Sequence, residues 1–216
     1  LGEFFNSKKF FVTGWQHPFM TEGISVLNKK FQIIPWSTFI IDLTKPLDVL
    51  FQQINKKSGR KNIERSQQRG VVIDEINENN LSEFLELRNI MKKNEGLELN
   101  TLDNFLQWWK LMKPLGLSGF LARKDDKPIG GLLFSFVNNH IIEIAVARSA
   151  IDTSEKLYSQ DLIKWKIIEW GSNNGLKFYN LAGVNPNPTN SKELGIFNYK
   201  KKWGGTKYDY FGLKSL

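Results

Sequence analysis

Cysteine is absent from this 216-residue chain. Thiol nucleophiles, thiolate metal sites and disulfides are therefore excluded, and the absence suits a reducing cytoplasm. Histidine is scarce as well: His17 and His140 stand apart, neither with a second ligand at metal-binding spacing, so no metal site is read. No apolar run approaches the ~18 residues that a membrane-crossing helix needs. The chain begins at Leu1 rather than at a methionine, which leaves a trimmed targeting segment open. No serine sits in a Gly-x-Ser-x-Gly elbow, so a hydrolase triad has no support. Internal repeats and low-complexity segments are lacking too.

What is present suffices for a folded core. Hydrophobic residues make up 41% of the chain, with seven Trp and sixteen Phe, enough for one large domain or one domain plus part of a second. The formal net charge is +8 and the sequence pI about 9.5. Such a balance favours anionic partners: RNA, a nucleotide-containing cofactor, or peripheral contact with an acidic membrane surface. Many basic proteins bind nothing anionic in particular, so charge alone does not choose.

Along the chain, apolar segments at Ile24–Val26 and Phe31–Ile34 precede a strand at Thr38–Leu43 introduced by Pro35. Thr44 reads as the cap of a helix with Pro46 in its first turn and Leu47, Leu50, Phe51 and Ile54 at helical spacing. Gly59 interrupts it, and a second helical stretch stops at Gly70. A strand at Val71–Glu75 leads to a helix opened by Asn80 and Glu83, then a second from Thr101 to Pro114. Strands at 117–123, 129–137 and 140–148 form an antiparallel meander, the last two joined by the turn Asn138-Asn139. A helix over 157–172, a strand over 177–181, a short helix over 191–202 and a strand over 207–211 complete the pattern.

A strand, two helices, three antiparallel strands and then alternating α and β is the element order of the GNAT acyltransferases. The expected fold is a mixed α/β GNAT core over residues 70–216, preceded by a strand-and-helix extension over residues 1–69.

The densest chemistry lies in Asn180-Leu181-Ala182-Gly183-Val184-Asn185-Pro186-Asn187-Pro188 and in Gly195-Ile196-Phe197-Asn198-Tyr199-Lys200-Lys201-Lys202-Trp203-Gly204-Gly205. Gly183 at a strand end permits close approach of backbone or ligand. Phe197, Lys200 and Trp203 recur at helical spacing, which equally describes two core anchors with a lysine snorkelling between them. This segment resembles the C-terminal signature of the Fem family, a Gly-containing strand end before an aromatic-Lys-x-x-aromatic-Gly helix. Thr38 to Val71, with its basic stretch Arg60-Lys61-Asn62-Ile63, resembles the same family's approach to its second domain, and Tyr158 to Gly175 its helix before the signature. The likeness spans most of residues 36–216.

Fem enzymes carry an amino acid from aminoacyl-tRNA to an amino group of a peptidoglycan precursor, using two entwined GNAT-like domains. The resemblance implies that activity here, although only the second domain looks complete and residues 1–43 supply at most a remnant of the first. It gives Lys200 the role of stabilising negative charge at the reacting centre, and it places substrate contacts at Arg60, Lys61, Tyr158, Gly183 and Asn185. Tyr199 stands where the family more often has Phe, and its hydroxyl is either a general acid to the leaving group or merely the wet end of a half-buried ring. The resemblance further implies a cytoplasmic enzyme, at or near the inner face of the membrane, whose precursor is nucleotide- or lipid-linked and whose cofactors are none beyond the tRNA-borne donor.

Three further features bear on the donor and the acceptor. Ordinary GNAT enzymes hold the acetyl-CoA diphosphate in a glycine-bearing loop at a helix start; here no glycine occurs from Leu132 to Trp170. Lys57, Lys61, Arg65 and Arg69 recur every four residues, beside Lys56 and Arg60, and would line one helical face as a track for tRNA phosphates or as a solvated surface. Glu143, on the strand face shared with Ala145 and Ala147, is a candidate general base, or else the partner of Arg123 or Arg148 in a salt bridge. Two rival functions remain: an acetyl-CoA-dependent N-acetyltransferase on an amino sugar or small amine, and a non-catalytic module that binds RNA or precursors.

Overall fold

The computed structural model describes residues 13–19 and 31–215. The segment Ile24–Val26 read above as apolar lies outside the described residues. Two compact units interleave along the chain, one formed by 1–40, 181–201 and 205–216, the other by 41–180 and 202–204. Two of the cuts fall inside strands, between residues 40 and 41 and between 180 and 181.

The larger unit is built on an antiparallel ladder of β3 (Val72–Glu75), β4 (Leu117–Lys124), β5 (Lys127–Val137) and β6 (His140–Arg148), with β7 (Phe178–Val184) starting parallel to β6. Both tight turns are made by paired left-handed residues, Asp125-Asp126 and Asn138-Asn139, the short polar types that tolerate that conformation. β4 and β5 are buried through six consecutive residues each because helices cover both their faces, so they read as apolar runs rather than alternating patterns. On one face, α3 (Leu81–Asn94) and α4 (Leu102–Met112) bury Leu81, Phe84, Leu85, Phe105 and Trp109 against Leu121, Leu133 and Ala147. On the other, Phe134 meets Trp170 of α6 (Ser159–Asn173) at 5.2 Å between ring centroids. A short α5 (Ala150–Ser154), not expected from the sequence, precedes α6.

Local signals were obeyed unevenly. Thr44 does not cap α1 (Leu47–Gln53): Pro46 is its N-cap, and Thr44 bonds back to Asp42 in a turn of its own. Asn80 and Glu83 make no capping box, since Glu83 accepts from the Arg123 guanidinium instead. Gly59 does not break the chain but lets a π-helical turn, Lys56–Arg60, run into α2 (Lys61–Gln68). A Cβ there would lie 2.3 Å from the Ile54 side chain, so only glycine fits.

The smaller unit pairs β8 (Thr206–Ser215) antiparallel with β1 (Thr13–Trp15) on one side and with β2 (Phe31–Asp42) on the other. β2 is one continuous strand where the sequence suggests a break. Pro35 lies opposite Phe211 and the ladder continues past it, because one missing N–H removes at most one bond. The unit also holds the last residues of β7 and α7 (Ser191–Lys201), whose Phe197 ring sits edge-on to Phe39 at 5.3 Å.

Candidate active site

Within the smaller unit the chain folds back on itself around Lys200. Its Nζ donates to the carbonyl oxygens of Ala182 (3.1 Å) and Gly183 (2.9 Å), near the end of β7. Those carbonyls converge because Ala182 is left-handed, with φ of +60°, a conformation that costs a non-glycine residue about 1–3 kcal/mol and persists only where its surroundings enforce it. The Thr38 hydroxyl helps to enforce it, donating to the same Ala182 oxygen at 3.0 Å. Gly183 itself is not left-handed. Its missing Cβ makes room for the protein's own groups, the Tyr210 hydroxyl at 2.6 Å and the Trp36 ring at 3.3 Å. Burial pushes the Tyr210 phenol above its ordinary range. Tyr199 is half-buried on α7, and Trp203 falls past the helix end, fully buried in the other unit.

The loop between β7 and α7 is tied to one carboxylate that sequence reasoning passed over. Glu193 Oε2 accepts from the Thr189 N–H (2.8 Å), the Thr189 hydroxyl (3.1 Å) and the Asn185 amide (3.0 Å). These bonds, the Thr189 N–H foremost, hold the Glu193 carboxyl below its usual range. Asn190 in turn accepts the Glu193 N–H at 3.0 Å. The signal was present as Asn190-Ser191-Lys192-Glu193, the spacing of a capping box. Asn185 is thereby a fixed part of the loop, its own oxygen accepting from the Asn187 N–H at 2.9 Å.

In the larger unit, Glu143 accepts from both the Lys164 ammonium and the Tyr179 hydroxyl, the latter at 2.7 Å. The ion pair is buried, with 7% of Glu143 and 3% of Lys164 exposed. This corrects the expected partners: Arg123 binds Asp74 and Glu83, and Arg148 binds Asp152. The reason is a bulge. Leu133 pairs with Ala145 but Phe134 pairs with Glu143, so the intervening Ile144 shifts β6 by one residue and turns Glu143 to the α6 face, away from Ala145. The parallel ladder between β6 and β7 covers only His140–Ile142 against Phe178–Asn180, and Glu143 is the next residue on. A second buried pair joins Lys202 to Asp161 at 2.5 Å, with the Asn62 amide on the other carboxylate oxygen. Burial lowers the Lys202 pKa from its ordinary value and Asp161 opposes the shift.

The start of α6 carries its own anion. Asp152 is fully buried and accepts the Ser159 N–H at 2.8 Å and Arg148 Nε at 2.5 Å. A helix N-terminus is the natural seat of a phosphate, and this one is taken by a side-chain carboxylate. Arg69, one of the basic stripe, donates to the carbonyls of Glu155 (2.8 Å) and Lys156 and lies 5.7 Å over the Tyr158 ring. It thus holds the segment in which Lys156 and Tyr158 are both left-handed. Lys57, Lys61 and Arg65 are exposed, whereas Arg60 is half-buried and donates to Gln52. The π-helical turn separates Lys57 from the α-helical spacing of Lys61 and Arg65. Among the described residues, no group of three or more His, Asp or Glu could hold a metal ion, and no helix is long and apolar enough to cross a membrane.

No protein-family model matches the sequence, and no curated protein matches it. Solved structures do match. FemX is similar with a TM-score of 0.68 and 14% identity over 92% of this chain, which spans 65% of FemX. The C-terminal DUF2156 domain of a chain assigned as a lysylphosphatidylglycerol synthetase from Agrobacterium fabrum gives 0.67 and 12% identity, covering 98% of this chain and 70% of that one. L-PGS from Bacillus licheniformis gives 0.65 and 10%, covering 96% and 68%. At these identities the likeness is one of fold. The chain has the mixed α/β, GNAT-like fold that its element order led us to expect.

Proposed function

We propose that the chain is an aminoacyltransferase that passes an amino acid from aminoacyl-tRNA to an amino group of a peptidoglycan precursor, nucleotide- or lipid-linked. The observation that carries this reading is the clamp on Lys200, whose ammonium is held by two neutral carbonyls at a left-handed kink. An ammonium fixed in place by such bonds stabilises an oxyanion formed beside it. In the proposed step the acceptor's neutral amine attacks the ester carbonyl of the donor. The C–N bond forms, the C–O bond to the tRNA ribose breaks, and the amine proton ends on the ribose oxygen, with the Tyr199 hydroxyl as its relay. Lys200 balances the charge on the tetrahedral oxygen. Glu143, already ion-paired, is assigned to holding β6 on α6 rather than to abstracting a proton.

Supporting the tRNA-borne donor over acetyl-CoA is Asp152. A diphosphate at the start of α6 would meet a buried carboxylate instead of open N–H groups. The exposed Lys57, Lys61 and Arg65 are assigned to tRNA phosphates, and within the smaller unit Gly183 and Asn185 to framing substrate, with a cytoplasmic location to match the donor. The test incubates the purified protein with a charged tRNA pool and nucleotide-linked or lipid-linked precursor and reads amide product by mass. Product lost in Lys200→Met, with the fold intact, is the expected result. Acetylated product from acetyl-CoA, with none from any charged tRNA, would overturn the reading. Replacing Lys57, Lys61 and Arg65 by Gln should weaken tRNA binding and flatten its salt dependence by roughly 0.7–0.9 for each phosphate no longer neutralised.

A further inference from the structure

A pocket of about 340 Å³ opens in the larger unit, away from every residue assigned a role above. Its wall is aromatic: Phe84 and Phe105 are stacked at 6.1 Å with 12° between their planes, and Phe105 and Trp108 at 5.3 Å with 25°. Ile144 and Ala145 of β6 complete the apolar lining. Ile144 is the extra residue of the bulge and is 44% exposed, so the register shift that turns Glu143 away leaves an apolar side chain here. The remaining lining residues are Arg88, Lys92, Asn100 and Asn104, so the pocket carries two cations and no carboxylate.

The polar rim is built rather than loose. Asn89 and Asn100 exchange two bonds, at 2.9 and 3.1 Å, which tie the loop after α3 back onto that helix. Lys92 Nζ donates to the Asn100 side chain at 3.0 Å. Arg88 donates to the Val146 carbonyl at 3.1 Å, its one hydrogen bond among the described residues. Most of the guanidinium fork is therefore left to a ligand, and five N–H groups on a planar cation match a carboxylate or phosphate. Flanking the rim in sequence, Leu97, Leu99 and Leu102 are each about half exposed.

A concave apolar lining with a few convergent polar groups is the usual form of a small-molecule site, and the volume lies within the range of roughly 300–1,000 Å³ for such sites. We infer that this pocket binds an organic anion with an apolar body, the body lying on Phe105, Trp108 and Ile144 and the carboxylate or phosphate on Arg88 and Lys92. The inference is independent of the aminoacyl donor, because none of these residues enters the proposed transfer.

The experiment is displacement of anilinonaphthalene sulfonate from the purified full chain, followed by fluorescence. Decanoate and decyl phosphate should displace the dye at single-site stoichiometry and at concentrations about tenfold or more below those needed for decanol or decylamine. A charge-assisted contact worth about 1.5–3 kcal/mol sets that preference. Lys92→Gln and Arg88→Gln should each erode it, and Ala145→Phe should abolish dye binding by filling the pocket, with unfolding midpoints recorded for all three. Since Arg88 also anchors β6, Lys92→Gln and Ala145→Phe are the decisive variants if Arg88→Gln fails to fold. Sedimentation with phosphatidylglycerol vesicles but not phosphatidylcholine vesicles, lost in Lys92→Gln, would assign the anion to a membrane lipid. Displacement by decanoate without sedimentation would assign it to a free metabolite. Equal displacement by decanol and decanoate, or a charge preference unchanged in Lys92→Gln, would overturn the inference.

Discussion

Two lysines, one in each compact unit, show what a partner does to a cation. Lys164 is buried against the Glu143 carboxylate, and the pair is electrically neutral as a unit. Lys200 is half-buried and donates to two backbone carbonyls near the end of β7. The first arrangement holds a helix on a sheet, while the second fixes an ammonium against a strand end. What separates them is the kind of partner observed, a carboxylate in one and backbone carbonyls in the other.

The comparison can be broken at either end. The largest effect is expected from Lys164→Met, which strands a buried carboxylate and should lower unfolding free energy by about 3–5 kcal/mol. Chemical denaturation reads it, and the double variant Glu143→Gln with Lys164→Gln should recover much of the loss. Lys200→Met should do the reverse. Turnover should fall on the order of 100- to 1,000-fold, the usual cost of losing an oxyanion partner. Stability should fall by less than ~2 kcal/mol, since the bonds lost to Ala182 and Gly183 are to neutral carbonyls. Similar losses of stability in the two lysine variants would erase the distinction drawn here.

A smaller gain is expected from Ala182→Gly. Glycine adopts the left-handed conformation without strain, so the unfolding midpoint should rise by the equivalent of up to ~1 kcal/mol, less the added freedom of the unfolded chain. A fall would mean that the kink is not strained. The smallest effect concerns acid. Asp209, opposite Ser37 in the β2–β8 ladder, has its pKa lowered first by the Ser37 hydroxyl and then by Lys207. A depressed carboxylate pKa contributes stability above its unfolded value of 3.8, and that contribution is lost as pH falls through the folded value. Asp209→Asn should flatten the stability profile below about pH 4 by less than ~0.5 kcal/mol, because the carboxylate is largely exposed.

The sequence was legible where local pattern and packing agreed. The boundaries of β6 were read to the residue, those of α4 within one or two residues and the start of α3 within one, because their apolar periods match the faces they bury. The Fem-like segment singled out Lys200 and Gly183, and the structure brings them together. It could not reveal Ala182, because nothing about an alanine announces a left-handed backbone that Thr38, far away in sequence, helps to enforce. Strict alternation put Glu143 beside Ala145, and one bulged residue reversed the face. α5 was missed for a related reason. Its role is to deliver Asp152 to the next helix, which is a tertiary arrangement with no periodic trace.

The π-helical turn at Lys56–Arg60 behaves as a one-residue insertion preserved in the backbone. A π turn holds about one residue more than an α turn, so the extra position is absorbed within the turn and α2 beyond it keeps its phase. Ile63 and Ser66 stay buried and Lys61 and Arg65 exposed because the wide turn takes up the surplus. A related protein one residue shorter at this point, its turn closed to an ordinary α turn, would aim the same charges in the same direction.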